Sequence, residues 1–119
     1  MTGKLTTHVL DISIGKPAKG VLVELKGVGP NNEKESICSA CTNEEGRLSK
    51  PLLDGDNMKK GIYELYFYIG DYYRSHRAAP EDPAFLDLVP VRFCISEPDS
   101  HYHVPLLISP GGYSTYRGS

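Results

Sequence analysis

The side chains of this sequence best suited to chemistry are four histidines and one arginine. His8 lies near the start, His76 in the middle, and His101 and His103 two positions apart near the end. An imidazole with an ordinary pKa of about 6.5 can take or give a proton near neutrality. Arg47 follows a turn, Asn43-Glu-Glu-Gly46, and opens a short strand; it carries a permanent charge on a planar fork of donors. His101 and His103 share a strand parity, so a two-histidine metal site is conceivable, but the sequence nominates no third or fourth ligand. Nothing resembles a nucleophile elbow, a phosphate loop or a pair of facing carboxylates. A lone histidine is most often a satisfied structural residue, so what each one faces must decide.

The element that positions His103 is the stretch from His101 to Ser119, which reads as strand, turn and strand. Tyr102, Val104, Leu106 and Ile108 share the parity that would face a core, leaving His103, Pro105 and Leu107 on the opposite face. Pro110-Gly111-Gly112 supplies the reversal, through a preset dihedral and tolerance of positive φ. Tyr113 to Arg117 resumes the sheet. A purely structural edge hairpin would more often carry Lys, Glu or Thr on its polar face than histidine. Something is therefore expected to bind there.

The rest of the chain is strand-rich. Leu5 to Ile12 is a first strand, and Gly20 to Gly27 alternates with Val21, Val23 and Leu25 inward. Ser36 to Thr42 and a short run at Arg47-Leu-Ser follow. Gly61 to Ile69 sets Tyr63, Leu65, Phe67 and Ile69 against Ile62, Glu64, Tyr66 and Tyr68. Asp54 to Lys60 reads as a charged loop. The one passable helix is Gly70 to Ala79, with Asp71 as cap and Pro80 and Pro83 as stops. Val89 to Glu97 alternates again, with Val89, Val91, Phe93 and Ile95 inward. Eight strand candidates at short spacing, separated by turn signals, indicate an all-β antiparallel sandwich with one short helix.

At 119 residues the chain is expected to form one domain over 1–119. Its net charge of −2 argues against nucleic acid or an anionic membrane as partner. No apolar run reaches bilayer length, and the start has no signal-peptide core, so a soluble cytoplasmic protein is expected. Three cysteines, Cys38, Cys41 and Cys94, make a poor disulfide framework. Cys38 and Cys41 would point to opposite faces of a strand, which favours buried or half-buried thiols over a redox or zinc pair.

The chain also resembles a known family in three separated motifs. Tyr116-Arg117-Gly118-Ser119, with His103-Val-Pro-Leu-Leu before it, resembles the C-terminal signature of the 5-hydroxyisourate hydrolases, the enzyme branch of the transthyretin-like family. Leu5-Thr-Thr-His8-Val-Leu-Asp11 is similar to that family's N-terminal motif, and Thr42-Asn-x-x-Gly-Arg47 to its middle one. Gly111 departs from the pattern, standing where an aromatic often follows Ser-Pro. The resemblance implies two four-stranded sheets and a homotetramer, a dimer of dimers with active sites in the channel between dimers. It implies hydrolysis of the ring amide of 5-hydroxyisourate without metal or cofactor, with His8, Arg47, His103 and Ser119 catalytic and Tyr116 at the site. His8 and Arg47 would also hold substrate. His103 is assigned to water activation and His8 to positioning or proton return, roles that could be exchanged. The alternative is a non-catalytic carrier of small molecules, which would need a more apolar channel lining.

Overall fold

In the computed structural model, which describes residues 2–77 and 81–119, the chain forms nine strands, one α-helix and one short 3-10 turn. The strands are β1 (Lys4–Asp11), β2 (Lys16–Pro17), β3 (Leu22–Val28), β4 (Lys34–Cys41), β5 (Leu53–Asp54), β6 (Gly61–Phe67), β7 (Val89–Ile95), β8 (Tyr102–Ser109) and β9 (Gly112–Thr115). The helix α1 spans Ile69–His76. One sheet runs β2-β1-β8-β9, with β5 also pairing to β1, and the other runs β4-β3-β6-β7. The sandwich expected from the alternation is present.

The alternation also identifies the core. Val21, Val23 and Leu25, Leu65 and Phe67, and Leu106 and Ile108 are all fully buried, and Tyr102 and Val104 nearly so, in one hydrophobic cluster between the sheets. The reason is the two-residue period of a strand, which sends alternate side chains to the same face.

Several expectations are corrected. The run at Arg47-Leu-Ser is not a strand; Arg47 makes a single bridge to His8. The two-residue strands β2 and β5 carry no alternation to read and were not anticipated. The sheets are antiparallel except where β1 and β8 run parallel, from Leu5 opposite Tyr102 to Asp11 opposite Ile108. The turn after β8 is tighter than expected: Ser109 pairs with Gly112, and positive φ occurs at Gly15, Gly20, Gly46, Gly55 and Gly61 rather than at Gly111 or Gly112. A side chain added at Gly111 would meet nothing within 4 Å, so an aromatic there would point into open space.

Ile69 is buried as foreseen, but as the first residue of α1 rather than the end of a strand. The cap position belongs to Tyr68 and has no side-chain hydrogen bond; Asp71 instead accepts from Arg74. Ala78, Ala79 and Pro80 lie outside the described residues.

Glu64, on the outer face of β6, is unexpectedly only 7% exposed. Tyr66 donates to it, Arg92 donates at 3.0 Å and Lys34 lies 3.2 Å away. The Tyr66 hydroxyl above all, with Arg92 and Lys34, outweighs burial and holds its carboxyl down to about 2.

Cys38 faces Leu25 and is half-buried, while Cys41 pairs with Leu22 on the other side of β4 and is exposed rather than buried, because that face of the edge strand is uncovered. All three cysteines are free, and burial raises the Cys38 thiol.

The end of β1 is tied to the helix by one buried carboxylate. Asp11 is 2% exposed and accepts from Tyr72 at 2.8 Å, from Tyr73 at 2.9 Å and from the Ser13 amide at 3.0 Å. Burial, reinforced by this carboxylate, pushes the Tyr73 hydroxyl up to about 12. Replacing Asp11 with Ala would orphan two buried hydroxyls. Asp11→Ala should therefore lower stability by about 2–4 kcal/mol in denaturant unfolding; a loss below about 1 kcal/mol would show that Asp11 does not hold the helix on the sheet.

Candidate active site

The parallel pairing of β1 with β8 assembles the site. It sets Thr6 opposite His103 and His8 opposite Pro105, and all four belong to the outward face of their sheet. His103 is half-buried on that face, as its parity requires, and so is His8. Arg47 joins from the other side of β1 through its bridge to His8.

Arg47 is held by its own turn. The Asn43 side chain accepts from the Glu45 amide at 2.9 Å and from the Arg47 amide at 3.1 Å. Gly46 takes φ of +76°, and its carbonyl accepts from the Val9 amide at 2.8 Å, docking the turn on β1. A Cβ at Gly46 would lie 2.3 Å from the Val9 carbonyl oxygen and 3.3 Å from Cδ2 of His8. Only glycine allows both the backbone sign and this approach.

The two imidazoles are held differently. His8 Nε2 lies 2.8 Å from the Glu45 carbonyl oxygen, which can only accept. His8 therefore carries a proton on Nε2, and its Nδ1 is the atom left to bind or exchange a proton. His103 Nδ1 lies 2.8 Å from the Thr6 hydroxyl. Its Cδ2 edge is closed by Gly118, where an added Cβ would stand 2.6 Å from Cδ2. The Gly118 amide donates to the His103 carbonyl at 2.8 Å. With both flanks of the ring occupied, Nε2 and Cε1 form its open edge.

Burial lowers the His103 pKa from 6.5, and the charge of Arg47 and then His8 lowers it further. A neutral imidazole with a free ring nitrogen, beside a guanidinium, can accept a proton from water while the cation stabilises a developing oxyanion.

Of the other expected site residues, Tyr116 lies just past β9, is 60% exposed, and lines a cavity with Phe93, Tyr102 and Thr115 rather than the recess beside Arg47. Ser119 follows Gly118 directly and is exposed. Arg117 packs over the Tyr102 ring at 4.1 Å. His101 is exposed beyond the start of β8, and its carbonyl accepts from Arg117 at 3.0 Å. His76 belongs to the helix end, stacked on Tyr72 with centroids 4.4 Å apart. Among the described residues, no three His, Cys, Asp or Glu side chains come together as a metal site. A recess of about 170 Å³ is lined by Thr6, Thr7, Arg47 and Ser49 among others, with neither His8 nor His103 in its wall.

A family model described as the HIUase/Transthyretin family matches residues 5–118. The chain belongs to that family. The 5-hydroxyisourate hydrolase of Halalkalibacterium halodurans is 53% identical over 119 residues, covering all of both chains. Among solved structures, the chain is similar to 5-hydroxyisourate hydrolase of Klebsiella pneumoniae, with 36% identity, a TM-score of 0.80, and coverage of 98% of this chain and 99% of that one. It is also similar to an (S)-allantoin synthase, with 42% identity and a TM-score of 0.91; the match covers 99% of this chain but spans only 44% of that protein.

Within this HIUase/transthyretin fold, four features of the site were not picked out from the sequence: Thr6, the Glu45 carbonyl, and the close approaches at Gly46 and Gly118. Thr6 shares the parity of His8 on β1, a signal that was present but had no meaning until β1 was known to lie beside β8. Gly118 yields a direct test. In Gly118→Ala the terminal segment or the His103 ring must shift, so the amide of residue 118, protected in the parent protein, should exchange rapidly with deuterium while the global unfolding midpoint barely moves. Equal protection in both proteins would contradict the close approach.

Proposed function

We propose that this protein hydrolyses 5-hydroxyisourate to 2-oxo-4-hydroxy-4-carboxy-5-ureidoimidazoline by adding water across the ring amide. The observation that carries the reading is the meeting of His8, Arg47 and His103 on one outward sheet face. Relatives bearing the hydrolase name over their full length support it.

His103 is the base. Its unbonded Nε2 takes a proton from water as the water oxygen attacks the ring carbonyl. Arg47 faces the resulting oxyanion with its fork of donors. The carbon–nitrogen bond then breaks, and the proton taken by His103 returns to the leaving nitrogen. His8, its Nε2–H committed to the Glu45 carbonyl, offers Nδ1 to a substrate N–H and orients the ring. Tyr116 and Ser119 border the site. A hydroxyl with no base bonded to it suits Ser119 to holding the water rather than attacking.

The same reading includes assembly. The recess of about 170 Å³ is small against ligand pockets of roughly 300–1,000 Å³, so the face needs a second wall to exclude water. The edge strands β7 and β9 lie beside each other, since one cavity of about 270 Å³ is lined by Val91, Phe93, Tyr102, Val104 and Thr115. Two such unpaired edges suit pairing with a second copy. A homotetramer, a dimer of dimers with the outward face lining the channel between them, satisfies both requirements. The reading takes the chain as one hydrolase domain that works in the cytoplasm, where its three free thiols stay reduced. Carriage of an apolar ligand fits less well, because two histidines and an arginine occupy the face.

Absorbance of freshly made 5-hydroxyisourate should decay faster with the protein than in buffer, with a chelator present. His103→Ala and Arg47→Ala should each lose activity, about 10²–10⁴-fold for the base, while staying folded. Decay at the buffer rate would overturn the hydrolase reading, and near-parental rates in either variant would overturn that residue's role.

A further inference from the structure

We infer that Thr6 is a positioning residue of this site: its hydroxyl accepts a hydrogen bond from Nδ1–H of His103 and so fixes the tautomer that presents an unprotonated Nε2. The inference rests on the proposed hydrolysis and deepens it.

The geometry is specific. Thr6 Oγ1 lies 2.8 Å from His103 Nδ1, across the pair that the parallel register of β1 and β8 sets side by side. Gly118 closes the Cδ2 edge at a distance no side chain would permit. The ring cannot flip to exchange Nδ1 for Cδ2 without losing the contact to Thr6. Its orientation is thereby set, and only the proton's position remains to be decided.

A neutral imidazole carries one proton, on Nδ1 or on Nε2. A base that works through Nε2 must hold its proton on Nδ1. In that form Nδ1–H donates to the Thr6 oxygen, and it goes on donating when water has protonated Nε2 and the ring is a cation. One hydroxyl orientation therefore serves both states of the cycle, and no group reorganises as the proton moves. The opposite arrangement, with Thr6 donating to Nδ1, leaves an N–H on the open edge. That ring offers water no lone pair, and protonating it would require breaking the bond to Thr6 first.

The contrast with His8 clarifies the division of labour. A backbone carbonyl fixes the His8 proton on Nε2, because a carbonyl cannot donate. A hydroxyl holds His103, with its proton on the other nitrogen. The two histidines are thus set in opposite tautomers by unlike partners, and the site presents one free nitrogen of each kind.

The test reads the proton directly. Long-range ¹H–¹⁵N correlation spectra of protein labelled in its imidazoles, at a pH where His103 is neutral, should show the His103 proton on Nδ1. In Thr6→Val, which keeps shape and strand propensity but removes the hydroxyl, that proton should redistribute toward Nε2. The kcat/KM for 5-hydroxyisourate should fall about 10- to 100-fold, the scale seen when the outer partner of a metal-binding imidazole is removed, chiefly through kcat. Thr6→Ser should restore both the tautomer and the rate. Neutral His103 protonated on Nε2 in the parent protein would overturn the inference, and so would a Thr6→Val variant with unchanged spectrum and rate. A parent protein inert toward 5-hydroxyisourate that still shows the Thr6-dependent Nδ1 proton would overturn the hydrolase reading instead.

Discussion

The pairing of β1 with β8 is the constraint on which the site depends. Thr6 and His103 are 97 residues apart in the chain, yet they form one hydrogen-bonded pair because these strands run side by side and parallel. A parallel pair needs a long crossover, and here most of the chain, including the whole second sheet, lies between its two members. Their inward residues, among them Leu5, Val9, Leu106 and Ile108, are fully buried in the common core. A slip of one residue in either strand would turn that apolar set outward. The hydrophobic core therefore fixes the register, and the register fixes which polar residues meet on the other side.

The loops refine what the strands assemble. Arg47 reaches the histidines because Asn43 organises its turn and Gly46 lets the turn lie on β1. Gly118 brings the chain's last residues against His103. Both glycines are places where backbone must approach a ring or a neighbouring strand more closely than a Cβ allows. Burial and Arg47 together keep His103 neutral to lower pH than a free imidazole, so in the proposed hydrolysis the group set to face the oxyanion would also keep the base ready to accept a proton.

The face of His103 could be read from the sequence, because Tyr102, Val104, Leu106 and Ile108 mark the core side of β8 unambiguously and a strand's period is two. The same logic found the inward residues of β3, β6 and β7. Pairing between distant strands has no local signature, so neither the parallel β1–β8 register nor the part of Thr6 could be read. Glu64, which the alternation places on the face away from the core, is nearly buried, because Tyr66, Lys34 and Arg92 converge on it from neighbouring positions and strands. Gly111 suggested a positive-φ turn, but the hairpin closes without one. The motif resemblance supplied what periodicity could not: that His8, Arg47 and His103, scattered along the chain, belong together.

In the proposed hydrolysis His103, held neutral by burial and by Arg47, takes the proton from water. The pH dependence of kcat/KM for 5-hydroxyisourate tests it most directly, since this ratio reports the ionisation of the free enzyme. Activity should fall on the acid side with an apparent pKa below 6.5, the ordinary value from which His103 is lowered. An acid limb centred above that value, or a rate that does not fall as His103 becomes protonated, would contradict it.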